Sequence, residues 1–293
     1  VNFELYIQYL SSEKRSSRHT IIAYQQDLSQ FAAFCKRTFD IDRFEDVRSS
    51  VIRTWMAEMM EEKYAPTSIQ RKISAVHSFY RFMVKNGILD QNPARGIHKP
   101  KKPGRLPVFV EESKIMSLYT QEATSDPVMM RNRLVVTLLY ETGIRRSELI
   151  HLSISDVDRS LKQIKVLGKR HKMRYIPVSD ALLSMIREWV QVRLHIDKGL
   201  GGDLLFLAEN GKKMGDSVVY QLVKSYLSDI TTMKKKSPHV LRHSFATHML
   251  NHGADLNVIK EILGHSSLAA TQVYTHNSIE KLRAIHEKLH PRQ

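Results

Sequence analysis

Four prolines within the sixteen residues Asn92-Pro-Ala-Arg-Gly-Ile-His-Lys-Pro-Lys-Lys-Pro-Gly-Arg-Leu-Pro107 deny that stretch both helix and strand. Proline lacks the backbone donor that either hydrogen-bond ladder requires. The chain on either side must therefore fold separately. At 293 residues it also exceeds the length at which one hydrophobic core usually keeps growing. The reading is an N-terminal unit over 1–91, a linker over 92–107 and a C-terminal unit over 108–293. The linker carries His98, Lys99, Lys101, Lys102 and Arg105. It fits a solvated spacer, and a basic strap along a phosphate backbone would look the same.

Before the linker, apolar residues recur at helical spacing, as in Thr20-Ile-Ile-Ala-Tyr24 followed by Leu28, Phe31, Ala32 and Phe34. Helices are expected at about 2–12, 17–37, 47–62 and 66–86, with Thr67 or Ser68 capping the last and Gly87 following it. After the linker the pattern predicts helices at 111–122, 127–142, 180–196, 215–230, 238–252, 255–263, 267–274 and about 278–289. One β element interrupts them. Gln163-Ile-Lys-Val-Leu167 and Met173-Arg-Tyr-Ile-Pro-Val178 flank Gly168-Lys-Arg-His-Lys172, which reads as a hairpin with a lysine-rich tip. The expected fold is mainly α with a small antiparallel hairpin or sheet in the C-terminal unit.

Lysine and arginine number 45 against 30 aspartates and glutamates, a formal charge of +15, and the sequence pI is near 9.8. This excess is spread along the chain and favours a polyanionic partner, although a basic protein that simply stays soluble has the same balance. A single cysteine, Cys35, rules out an internal disulfide framework and a thiolate metal cluster, and its apolar neighbours make it core filler in a reducing compartment. No run of 18 apolar residues occurs, and Val1-Asn-Phe-Glu4 lacks the order of a signal peptide. The expected location is the cytoplasm, with no membrane partner.

Three segments combine basic residues with turn signals. In Thr142-Gly-Ile-Arg-Arg-Ser-Glu-Leu149 a long apolar helix ends at Gly143, and Ser147 or a neighbour can open the next. Arg145 at that turn has a guanidinium fork suited to two oxygens of one phosphate, and it also fits a surface arginine flanking a helix. In Ser237-Pro-His-Val-Leu-Arg-His-Ser-Phe-Ala-Thr-His-Met-Leu250, Pro238 suits a first turn and Leu241, Phe245 and Met249 mark the buried side. His239 and Arg242 share one face. The His239 and His243 spacing resembles a zinc pair, but Val240 stands where a metalloprotease helix needs glutamate, so no metal is expected. In Glu261-Ile-Leu-Gly-His-Ser-Ser-Leu-Ala-Ala-Thr-Gln-Val-Tyr-Thr-His276, His265 follows a helix-ending Gly264 and Tyr274 follows nine residues later.

A tyrosine beside Val273 is ordinarily a core residue. Its phenol, with a pKa near ~10, becomes a nucleophile only where cations stabilise the phenoxide or a base removes the proton. Two arginines, a lysine and two histidines can do both. They can also hold the oxygens of a phosphodiester as charge builds, without a metal. The set reads as a phosphoryl-transfer site.

In order and spacing, Thr142-Gly-Ile-Arg-Arg-Ser-Glu-Leu, Gly168-Lys, His239-Val-Leu-Arg-His, Leu263-Gly-His-Ser and Val273-Tyr-Thr-His resemble the signature boxes of the tyrosine recombinases, most nearly the Xer branch. The resemblance implies a two-domain clamp around duplex DNA, whose first unit is a four-helix, SAM-like core-binding domain and whose second is catalytic. It implies that Tyr274 attacks the scissile phosphate to give a 3′-phosphotyrosine and a free 5′-hydroxyl, and that religation needs no ATP, metal or other cofactor. Residue by residue, Arg145 and Arg242 would clamp the non-bridging oxygens with His265, Lys169 would protonate the leaving oxygen, and His239 would take the tyrosine proton. Glu148 would orient Arg145, and His243 would pack behind Arg242.

Two positions depart from the family pattern. Arg146 stands where relatives have an apolar residue, so it is either an added DNA contact or a rival to Arg145; the Thr-Gly-Ile-Arg register favours Arg145. The hairpin tip leaves Lys172 a rival to Lys169. The resemblance further implies a tetramer, of one recombinase or two, on paired DNA sites, passing through a Holliday junction. Ile279, Leu282, Ile285 or His286, and Leu289 form a stripe that would dock each C-terminal helix on a neighbour or on its own domain. A DNA-translocase activator, and a role in chromosome partition at cell division, belong to the same implication. Integration of a phage or conjugative element, a binding-only protein of the same fold and a strand-nicking relaxing enzyme are the rival readings.

Overall fold

The computed structural model describes residues 3–14, 16–101, 108–116, 124–168 and 172–264. The chain divides into two compact units, Val1–Arg105 and Leu106–Gln293.

The first unit contains α1 (Phe3–Ser12), α2 (Arg18–Phe39), α3 (Ser49–Glu61) and α4 (Pro66–Lys85). Ser17 caps α2 by accepting from the Thr20 N–H at 3.2 Å, and Asp40 ends it in the left-handed conformation. At α4 the expectation of a Thr67 or Ser68 cap is corrected. Pro66 occupies the first helical position with its φ already set, so the helix begins earlier, at Ala65, without a side-chain cap. The inward stripes of the four helices meet in one aromatic-rich core that includes Tyr6, Phe31, Trp55, Phe79 and Tyr80, with Cys35 buried among them. Part of the proline-rich stretch is fastened to this unit: Asn92 donates to the His77 carbonyl at 3.1 Å, and Gln70 donates to the Pro100 carbonyl at 2.7 Å.

The second unit is built around α6 (Pro127–Thr142), which follows the short α5 (Glu112–Met116). From Leu134 to Thr142 every residue of α6 is buried, the pattern of a helix enclosed on all sides. Packed against it are α8 (Asp180–Ile196), α9 (Asp216–Ile230) and α10 (Pro238–Asn251), while α7 (Arg146–Leu149) follows its end and α11 (Leu256–Leu263) follows α10. The expected hairpin is present as β2 (Gln163–Leu167) and β3 (Met173–Pro177), antiparallel, with Leu167 opposite Met173 and Gln163 opposite Pro177. A third strand, β1 (Val157–Asp158), extends it to a sheet of order β1-β2-β3. Two residues are too short to show alternation in sequence. No described helix is long and apolar enough to cross a membrane.

Candidate active site

The site gathers where two helices end together. Gly143 closes α6 and Gly264 closes α11, both at positive φ (58° and 62°), the conformation that a residue without Cβ adopts cheaply. Space makes glycine necessary at Gly143 as well, since a Cβ there would lie 2.6 Å from Phe245 and 2.7 Å from Leu263.

Carbonyls at helix C-termini carry partial negative charge, so these two ends attract cations. Arg242, on α10 and 9% exposed, donates from Nη1 to the Gly143 carbonyl at 2.5 Å and from Nη2 to the Leu263 carbonyl at 2.6 Å. It thereby ties the end of α6 to the end of α11. Arg145 reaches the next carbonyl along, donating from Nη2 to Gly264 at 3.0 Å. The two guanidiniums are thus held on consecutive carbonyls. Burial pulls the Arg242 guanidinium down to about 10, Arg145 and Arg174 act in the same direction, and Glu148 opposes them. It remains protonated at neutral pH.

Glu148 lies between the cations. It accepts from the Arg145 backbone N–H at 2.7 Å and from Arg145 Nη1 at 2.8 Å, which caps the first turn of α7. Its two oxygens also receive Arg174 Nη1 and Nη2, at 2.9 and 2.8 Å. Burial pushes this carboxyl up, but the two arginines and the backbone donor outweigh it and hold the group below the usual carboxylate range. Three guanidiniums against one carboxylate leave two excess positive charges in a poorly hydrated pocket. Such a pocket favours an anion, and favours it more as negative charge develops.

His239, one turn before Arg242 on α10, stands on the exposed side. Partial desolvation, followed by the fields of Arg146, Arg242, Lys235 and Arg145, holds its imidazole below the usual histidine range. At pH 7 it is neutral and able to accept a proton. Half-buried His243 has its Nε2 enclosed and without a hydrogen-bond partner among the described residues. Arg146 pairs with Asp216 of α9 at 2.6 Å, and among the charges acting on His239 its field is the largest.

Lys172 is exposed at the end of the hairpin, where its carbonyl accepts the Gly168 N–H at 2.8 Å, and Lys101 is exposed in the first unit. Lys169, His265, Tyr274, Lys102 and Arg105, with the helices expected at 267–274 and 278–289, lie outside the described residues.

The residue missed in sequence is Arg174. It sits on the same face of β3 as buried Ile176, and this parity was the signal available. In a hairpin rich in lysine and arginine, a further basic residue does not stand out.

Comparison with known proteins agrees with this architecture. The model described as phage integrase family matches residues 109–281, and that of the phage integrase N-terminal SAM-like domain matches 3–87. The chain is 34% identical to the tyrosine recombinase XerC of Bacillus subtilis (strain 168), covering 99% of this chain and 96% of that one. It is also 34% identical to the tyrosine recombinase XerD of Lacticaseibacillus casei, covering 98% and 97%. The Tn1549 transposon integrase, solved in complex with transposon right end DNA, has a similar fold, with a TM-score of 0.71 at 20% identity over 95% of this chain and 96% of that one. The chain therefore belongs to the phage integrase family and is a site-specific tyrosine recombinase of the Xer branch.

Proposed function

We propose that the Arg145–Glu148–Arg242 pocket binds the scissile phosphate of duplex DNA, with Tyr274 as the nucleophile. The observation that carries this is the pair of guanidiniums held on the consecutive carbonyls of Leu263 and Gly264, immediately before His265 in the chain. Only two hydrogen bonds from the Arg242 guanidinium and two from that of Arg145 are spent on the described residues, so donors of each five-donor fork are left for phosphate oxygens.

In this reading the Tyr274 oxygen forms a bond to phosphorus as the bond to the 5′-oxygen breaks. Neutral His239 takes the phenolic proton, and Lys169 or Lys172 gives one to the departing 5′-oxygen. One phosphodiester replaces another, so the bond energy is kept for religation. The two excess positive charges stabilise the charge that accumulates in between. Arg145 takes the clamping role over Arg146, because Arg145 is bonded to Glu148 and to the Gly264 carbonyl beside Arg242, while the guanidinium of Arg146 is paired with Asp216. Lys101, Lys102 and Arg105 would add contacts to the DNA backbone.

Likeness to XerC and XerD over nearly the whole chain supports resolution of chromosome or plasmid dimers, by a tetramer of one or two recombinases on two DNA sites in the cytoplasm. The test is a nicked suicide substrate carrying the recombination site. Wild type is expected to trap as a covalent protein–DNA complex, and Tyr274→Phe to bind with unchanged affinity and trap none. A Tyr274→Phe protein that still became linked would remove Tyr274 from the role. A wild type that bound and never cut would favour a binding-only protein.

A further inference from the structure

We infer that Arg174 is a positioning residue of the recombination site, the common support from which the Arg145, Lys169 and His265 segments take their places. The inference rests on the pocket being the phosphoryl-transfer site proposed above.

Arg174 is 4% exposed and touches three segments at once. Its fork holds both oxygens of Glu148, the acid that turns Arg145, and its Nε donates to the Ile262 carbonyl in the last turn of α11 at 2.6 Å. Two glycines lie directly against the guanidinium. A Cβ on Gly264 would come within 3.2–3.3 Å of its Nη1, Cδ and Cζ, and a Cβ on Gly168 within 3.4 Å of Nη1. Each of these glycines immediately precedes a residue assigned to the chemistry, His265 in one case and Lys169 in the other. One planar cation thus lies against the glycine that precedes each of them and holds the acid bonded to Arg145.

Stability alone gives a weak reason for burying such a pair. Desolvating an arginine and a glutamate often gains nothing over well-packed apolar side chains of similar volume. A rigid fork that defines the distance between α7, the lysine hairpin and the end of α11 does give a reason. Lysine in its place would keep the charge but lose the bidentate grip and the bond to Ile262.

The experiment measures single-turnover formation of the covalent complex on pre-bound DNA, so that only folded, bound molecules are counted. Wild type, Arg174→Lys and Arg174→Met are compared on an ordinary phosphodiester and on one whose 5′-bridging oxygen is sulfur, a leaving group that needs little protonation. Displacing reacting groups by about an ångström costs on the order of 100-fold, the fall expected for Arg174→Met, with about 10-fold for Arg174→Lys. Sulfur should accelerate both variants more than wild type, because it bypasses the displaced lysine.

Bound variants that cut the ordinary substrate within about threefold of wild type would reduce Arg174 to packing, as would equal acceleration by sulfur in all three proteins. Should Arg174→Met fail to fold, Arg174→Lys, which keeps the charge opposite Glu148, decides the matter by the same readout. A wild type that binds but forms no covalent complex on either substrate would instead overturn the site reading beneath the inference.

Discussion

Replacing Glu148 by glutamine changes no shape and removes one buried charge. The consequence follows from where the two oxygens point. Oε1 receives Arg145 Nη1 and Arg174 Nη1, and Oε2 receives the Arg145 N–H and Arg174 Nη2. Whichever way the new amide is turned, its NH2 faces two donors and two hydrogen bonds are lost. Bonds to charged groups contribute roughly 1.5–3 kcal/mol each, and breaking a buried ion pair costs about 3–5 kcal/mol. The Arg145 side chain is 33% exposed and recovers part of its hydration, so the expected loss for Glu148→Gln is about 3 kcal/mol.

The assay is urea unfolding of the full chain. Its two tryptophans, Trp55 and Trp189, lie in different units, so in a Trp55→Phe background the fluorescence of Trp189 reports the C-terminal unit. Because the folded carboxyl lies below its unfolded value of about 4.3, its contribution is present above that pH and is lost as pH falls through the folded value. The gap between wild type and Glu148→Gln should therefore be full at pH 7 and shrink below about pH 4. A gap under about 1 kcal/mol at pH 7, less than one ordinary hydrogen bond, or a gap that stays constant into acid, would refute the reasoning.

Three further outcomes are expected. Gly143→Ala puts a Cβ at positive φ against Phe245 and Leu263, and should cost about 3 kcal/mol in the same titration; an unchanged midpoint would contradict the close approach. Cleavage should hold level from pH 8 down past the ordinary histidine value of about 6.5 and fall only in more acid solution, as His239 gains a proton. His239→Gln should lose that acid limb, and a profile shared by both proteins would exclude this imidazole as the base. Bridging sulfur should rescue whichever of Lys169→Ala and Lys172→Ala has lost the proton donor, with Lys169 expected; rescue of Lys172→Ala alone would move the role to the second lysine.

The helices were legible because burial of one face imposes a period on the chain. Leu241, Phe245 and Met249 were assigned to the inner side of α10 and are all buried there. The ends of α6 and α11 were legible for a local reason, since Gly143 and Gly264 are the residues that tolerate a left-handed turn. Arg242 could be placed beside His239 on one helix, but its anchors, the carbonyls of Gly143 and Leu263, follow from tertiary packing that no periodicity records.

Arg174 escaped for the same reason. Its partner Glu148 stands 26 residues away, and charge alone does not distinguish a buried fork from a solvated one. Over residues 92–101 the proline-rich stretch forms neither helix nor strand, and its hydrogen bonds to α4 run through the side chains of Asn92, Lys99 and Gln70, which compose no pattern in sequence.

The most direct measurement of the central claim is to digest the trapped protein–DNA complex and identify the nucleotide-bearing peptide by mass spectrometry. One adduct is expected, a phosphodiester on Tyr274 joined to the 3′ end of the cut strand. An adduct on any other side chain, or on the 5′ end, would contradict it.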